Sequence, residues 1–170
     1  MKRRAGFTII ELLITITIMG ILLVLGVVNL RGSQANGRDE ERKTDIKNTA
    51  LYLEGIYDNG IPSNPAYKGS YPPTTAVSNT TNISTWFPDI DMNNLRSPGI
   101  VAPAVSITPA TSNVQTIAGV TPQPTQDSYV YQPIDSTGAL CTSQGDCRKY
   151  NLYYKLESNP TIQMVLSKNQ

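Results

Sequence analysis

Three sets of side chains in this 170-residue chain could do chemistry: a carboxylate inside an apolar run, a close pair of cysteines, and two aspartates in a polar stretch. Glu11 is the only charged residue between Phe7 and Leu30, a run of 24 residues. A carboxylate at the centre of a membrane-spanning helix costs about 2.5 to 3.5 kcal/mol on insertion scales, so Glu11 implies a function and a partner. Cys141 and Cys147 are the only cysteines, set among Gly138, Gly145 and Asp146. They do not make a zinc site, which takes about four ligands, because the chain has neither histidine nor a third cysteine. Asp89 and Asp91 begin a segment that imitates the opening of a calcium loop. Asn94 stands where that loop has glycine, and Ile100 where it has its bidentate glutamate, so the two aspartates are weak metal candidates. Without histidine there is no Ser-His-Asp or Cys-His arrangement and no zinc-peptidase helix, and no glycine-rich phosphate loop is present. Neither an enzyme nor a cofactor is expected.

The element that carries Glu11 must be a helix. At 1.5 Å per residue the Phe7 to Leu30 run would be about 36 Å long, enough to cross a hydrocarbon core of about 30 Å with some tilt. Lys2, Arg3 and Arg4 precede it with no acidic residue among them, which keeps the extreme N-terminus cytoplasmic and sends the chain beyond Leu30 outward. An ordinary secretory signal has a shorter apolar region and no buried acid. A plain signal anchor explains the length but leaves Gly6 and Glu11 without a role.

Arg3-Arg4-Ala5-Gly6 followed by Phe7-Thr8-Ile9-Ile10-Glu11-Leu12-Leu13 resembles the class III signal of type IV pilins and pseudopilins. The resemblance implies that a prepilin peptidase removes leader residues 1–6 by cutting between Gly6 and Phe7, and that Phe7 becomes the N-methylated end of the mature chain. It implies that Glu11 pairs with the terminal amine of a neighbouring subunit during assembly. The implied partners are identical copies of the chain, the peptidase, an inner-membrane pilus assembly platform, and membrane lipid before assembly. The implied location is a single-pass cytoplasmic membrane pool that becomes an extracellular filament for adhesion, twitching or DNA uptake. A pseudopilin of a secretion or competence machine is the alternative within the family, and a membrane-anchored adhesion domain that never polymerises is the alternative outside it. A net charge of +1 and mixed-sign charge runs point to no nucleic-acid site.

The family fold is α+β, a long N-terminal helical spine packed on a small antiparallel sheet, and the residues downstream support it. The helix is expected over 7–60, with residues 7–30 apolar and 38–57 amphipathic. Gly32 and Gly37 put a bend or weak point between those halves. The charged run Arg38 to Asp45 reads as a solvated face with an Asp39 to Lys43 pair. Ile46, Ala50, Leu53 and Tyr57 form one apolar stripe. Gly60 suits a left-handed cap and Pro62 blocks continuation.

A globular domain is expected over 61–170. All 12 prolines lie beyond Gly60, and Ser, Thr and Asn dominate to Gln126, so 61–126 reads as loop anchored by Ile83, Trp86-Phe87 and the Ile100, Val101, Val105, Ile107 cluster. Residues 128–168 hold three strand signals that would form an antiparallel meander: Ser128 to Gln132, the alternating Tyr150 to Glu157, and Ile162 to Leu166. In an extracytoplasmic domain the two cysteines read as a disulfide, Cys141 to Cys147. Asn79-Thr80-Thr81 and Asn82-Ile83-Ser84 match the N-glycosylation pattern but read as ordinary loop.

Overall fold

The computed structural model describes residues 6–61, 65–143 and 145–169. The basic residues Lys2, Arg3 and Arg4, expected to belong to a leader, and Pro62, expected to block the helix, lie outside them. The chain divides into two compact units, Met1–Gly37 and Arg38–Gln170.

Helix α1 runs Ile9–Asn59 and contributes to both units. Thr8 starts it: its hydroxyl accepts from the Glu11 amide at 3.2 Å, while Glu11 Oε2 accepts from the Thr8 amide at 2.8 Å. This reciprocal pair is a capping box, which satisfies two amides that a helix start leaves without partners. The helix ends where the sequence indicates. Gly60 adopts φ 80°, and its amide bonds to Ile56 O at 2.7 Å, a left-handed stop that a Cβ would strain. Gly32 and Gly37 are helical and do not interrupt α1. Each costs helix propensity of about 1 kcal/mol relative to alanine, too little to break a helix continued on both sides.

In the second unit, Ile46, Leu53 and Ile56 of α1 are buried against one face of a four-stranded sheet, with Ala50 and Tyr57 half-buried beside them. The strands are β1 (Ile107–Pro109), β2 (Tyr129–Asp135), β3 (Cys147–Lys155) and β4 (Ile162–Leu166), in that spatial order. β2, β3 and β4 form the expected antiparallel meander, whereas β1 pairs parallel to β2, with Ile107 opposite Tyr129. The sheet is therefore mixed, and the Ile107 end of the supposed loop cluster is a strand. Pro109 is tolerated there because β1 lies at the sheet's edge. Of that cluster, Ile107 is buried and Val105 half-buried, but Val101 is 79% exposed and anchors nothing.

Both faces of the sheet are covered. Tyr129, Tyr131, Tyr150 and Leu152 lie in the core beneath α1, while Val130 and Tyr153 pack with Ala110 and Val120 on the other side. The loop bearing Ala110 is held down by one amide: Gln132 Nε2 donates to the Ser112 and Val114 carbonyls at 2.7 and 3.0 Å. Gln132 Oε1 accepts from Asn151 Nδ2 at 3.0 Å and the Tyr153 hydroxyl at 2.9 Å, so the buried amide meets donors and acceptors on every side. The 61–126 segment also contains helix α2 (Thr80–Trp86), capped by the Asn79 side chain, with Ile83 and Phe87 buried as anchors and Trp86 half-buried.

Candidate assembly site

The apolar part of α1 exposes Ile, Leu and Val all round within its own unit, from Ile9 to Leu25. Among the described residues this is one helix long and apolar enough to cross a membrane. Its hydroxyls are internally satisfied: Thr15 Oγ1 donates to Glu11 O at 2.6 Å and Thr17 Oγ1 to Leu13 O at 2.8 Å. A threonine bonded to the preceding turn loses no hydrogen bond when it leaves water, which suits an apolar surrounding.

Glu11 has no cationic partner among the described residues. Besides the Thr8 amide, its Oε2 accepts from the Thr8 hydroxyl at 2.8 Å. The carboxylate is thus held at the helix start beside Gly6 and Phe7, with Phe7 86% exposed. The sequence carries the signal for this: threonine followed three residues later by glutamate, ahead of an apolar run, is the capping-box pattern.

The weak calcium candidates are used otherwise. Asp91 caps a short 3-10 helix, Met92–Leu95, by accepting from the Asn93 amide at 2.9 Å. The Asp89 amide points to the Tyr52 hydroxyl at 3.4 Å, and the Thr49 hydroxyl donates to Asn94 O at 3.2 Å, so the segment fastens to α1. No cluster of three His, Cys, Asp or Glu able to hold a metal occurs among the described residues. Cys141 and Cys147 are joined in a disulfide with Cα atoms 5.5 Å apart. Their carbonyls accept from the Thr74 and Tyr71 amides at 3.0 and 2.8 Å, which ties the β2–β3 connection to the preceding loop.

The charged run 38–45 departs most from expectation. Asp39, Arg42 and Asp45 are buried, Arg42 to 1% exposure. Arg42 donates to Asp39 Oδ1 at 3.0 Å and to Gln126 O at 3.0 Å, and reaches Glu157 Oε1 at 2.8 Å. Arg38 adds two bonds to Glu157, and Asp39 accepts from the Glu157 and Ser158 amides at 2.7 and 2.9 Å. Lys43 pairs with Glu40 at 2.7 Å rather than with Asp39. Burial raises the Asp39 carboxyl, but the Ser158 hydroxyl, the two amides and Arg42 outweigh it and leave it at about 2. Glu157 is lowered to about 2, chiefly by its Arg38 hydrogen bond and then by Arg42. Asp45 is the opposite case. Burial first, then the charge of Glu41, raises it to about 6. Its Oδ2 and the Tyr129 hydroxyl are both buried without a hydrogen-bond partner.

The chain is thus of the α+β class, an N-terminal helix long and apolar enough to cross a membrane, with a carboxylate capped at its start, followed by a helix-on-sheet unit. Residues 1–27 match the prokaryotic N-terminal methylation motif. A type IV major pilin protein PilA of Myxococcus xanthus (strain DK1622) is 44% identical over 50 residues, a stretch covering 29% of this chain and 22% of that protein. No solved structure gives a significant match. The motif and this likeness are similarities to type IV pilins over the stretches matched, and a long N-terminal helix with a four-stranded mixed sheet is consistent with the type IV pilin fold.

Proposed function

We propose that the chain is a prepilin cut between Gly6 and Phe7, methylated at Phe7, and polymerised through the apolar part of α1 into an extracellular filament for adhesion, twitching or DNA uptake. Residues 1–6 are then the leader, 7–60 the helix and 61–170 the globular domain. Identical copies, a prepilin peptidase and a membrane assembly platform are its partners. The observation that carries this reading is the position of Glu11: the carboxylate sits in the first turn of α1, at the head of its apolar part, as the fifth residue after the bond whose cleavage would create an amine.

Before assembly the Thr8 capping box supplies the hydrogen bonds of this carboxylate but no counter-charge. Bringing a neighbour's new terminal amine to Glu11 neutralises both charges out of water, and leaving either one buried alone costs about 3 to 5 kcal/mol. That difference sets the axial register of each incoming subunit. The test is N-terminal sequencing and mass measurement of filaments sheared from cells, alongside Glu11→Ala and Glu11→Val. The expected mature chain starts at methylated Phe7, and both variants are processed but give few filaments. An intact Met1-Lys2 terminus, or normal filament yield from the variants, would refute the reading.

A further inference from the structure

Within the second unit, two grooves flank one exposed leucine on α1. The first places Ala50, Val165 and Leu166 beside the exposed ammonium groups of Lys43, Lys47 and Lys168. Glu54 also lines it, but that carboxylate is engaged inward, accepting from the Tyr71 and Tyr150 hydroxyls at 2.8 and 3.0 Å and from the Lys168 amide at 3.0 Å. Lys43 is paired with Glu40, whereas Lys47 and Lys168 make no ion pair among the described residues. The second groove is lined by Leu51, Tyr52, Gly55, Ile56 and Asn59, and its one charge is the exposed carboxylate of Asp89. Leu51, shared by both grooves, is 53% exposed.

Gly55 adds an independent observation. It lies inside α1, where glycine is the poorest helix former apart from proline. A Cβ built there meets nothing within 4 Å, so no contact inside the subunit requires its absence. An apolar knob, a neighbouring position without a side chain, and grooves of opposite charge on either side make this surface complementary to itself.

We propose that the α1 face carrying Lys47, Leu51 and Gly55 is a head-to-tail contact between two copies of this chain, the lysine-rimmed groove of one copy receiving the Leu51–Asp89 side of the next. The proposal rests on the polymerisation reading and names the part of the globular unit that joins in it. Copies inserted in one membrane orientation have parallel helices. Lys47 and Gly55 are eight residues apart, about 12 Å along the axis at 1.5 Å per residue. Asp89 lines the same groove as Gly55, so a neighbour displaced by that distance brings its Asp89 towards Lys47. The same displacement brings its Leu51 to the level of Lys43 in the first groove, and the first copy's Leu51 to the level of Asn59 in the neighbour's second groove. Such a contact is heterologous and does not close, so it propagates.

The experiment co-expresses two full-length single variants, Lys47→Cys and Asp89→Cys, in membranes and in sheared filaments under mild oxidation, and measures disulfide-linked dimer. The mixture is expected to give at least tenfold more dimer than either variant alone. In parallel, Lys47→Asp and Asp89→Lys are each expected to cut filament yield about tenfold, and the double variant to recover most of it, with processing and far-ultraviolet circular dichroism unchanged. Filaments that form without the mixed cross-link, or a double variant no better than the singles, overturn the contact and leave the polymerisation reading standing. A cross-link in membranes without any filament supports the contact and overturns that reading.

Discussion

Replacing Asp45 with asparagine should stabilise the protein, and by an amount that depends on pH. Asp45 is 8% exposed, its Oδ2 has no partner, and burial followed by Glu41 raises its carboxyl from the ordinary 3.8 to about 6. The groups facing it are Glu41 and Arg42 on α1, Asp91 at the Met92–Leu95 turn, and Tyr129 on β2. Arg42, the one cation among them, already serves Asp39 and Glu157. A raised carboxyl means that the folded state holds its proton more tightly than the unfolded state. Stability therefore falls as pH rises from about 4 through about 6, and the full penalty is present above that. At about 1.36 kcal/mol per pH unit, the rise from 3.8 to about 6 corresponds to about 3 kcal/mol. In Asp45→Asn the new side chain cannot ionise, and its amide can donate to the Tyr129 oxygen. Denaturant unfolding of the full chain in detergent micelles, from pH 4 to 8, should show the wild type losing about 3 kcal/mol that the variant keeps. A wild type equally stable at pH 5 and pH 8, or a variant less stable at pH 8, would refute the reasoning.

Below pH 4 the sign reverses. Asp39 and Glu157, both lowered to about 2, contribute stability that is lost as pH falls through that range, so Asp39→Asn should flatten the acid limb of the same titration. Arg42→Met should destabilise by about 3 to 5 kcal/mol, because Asp39 and Glu157 would be left without it, and Arg42→Lys should not restore a forked set of contacts. A denaturation midpoint within error of wild type would exclude that role. Replacing Cys141 and Cys147 together with serine should cost about 2 kcal/mol, the scale for so short a loop, and reductant should shift the wild-type midpoint by the same amount. A midpoint insensitive to reductant would show that the Tyr71 and Thr74 backbone bonds hold the connection without the covalent link.

Local pattern reaches some of this molecule and stops at identifiable places. The stop at Gly60, the Ile46 to Tyr57 stripe and the strands β2 to β4 each depend on residues within a few positions, so periodicity and turn chemistry expose them. β1 escapes because three residues ending in proline carry no period, and its parallel pairing to β2 is made across 21 intervening residues. The 38–45 charges mislead for the same reason. Mixed signs at helical spacing look solvated until Glu157, more than a hundred residues away, covers them.

The apolar helix and its lone carboxylate are legible in the sequence, because length and composition alone specify a helix able to cross a membrane. Which charges are buried and paired, which strand closes the sheet, and that Leu51 stands exposed between a basic and an acidic groove emerge from the folded chain, since burial and pairing depend on residues that folding alone brings together.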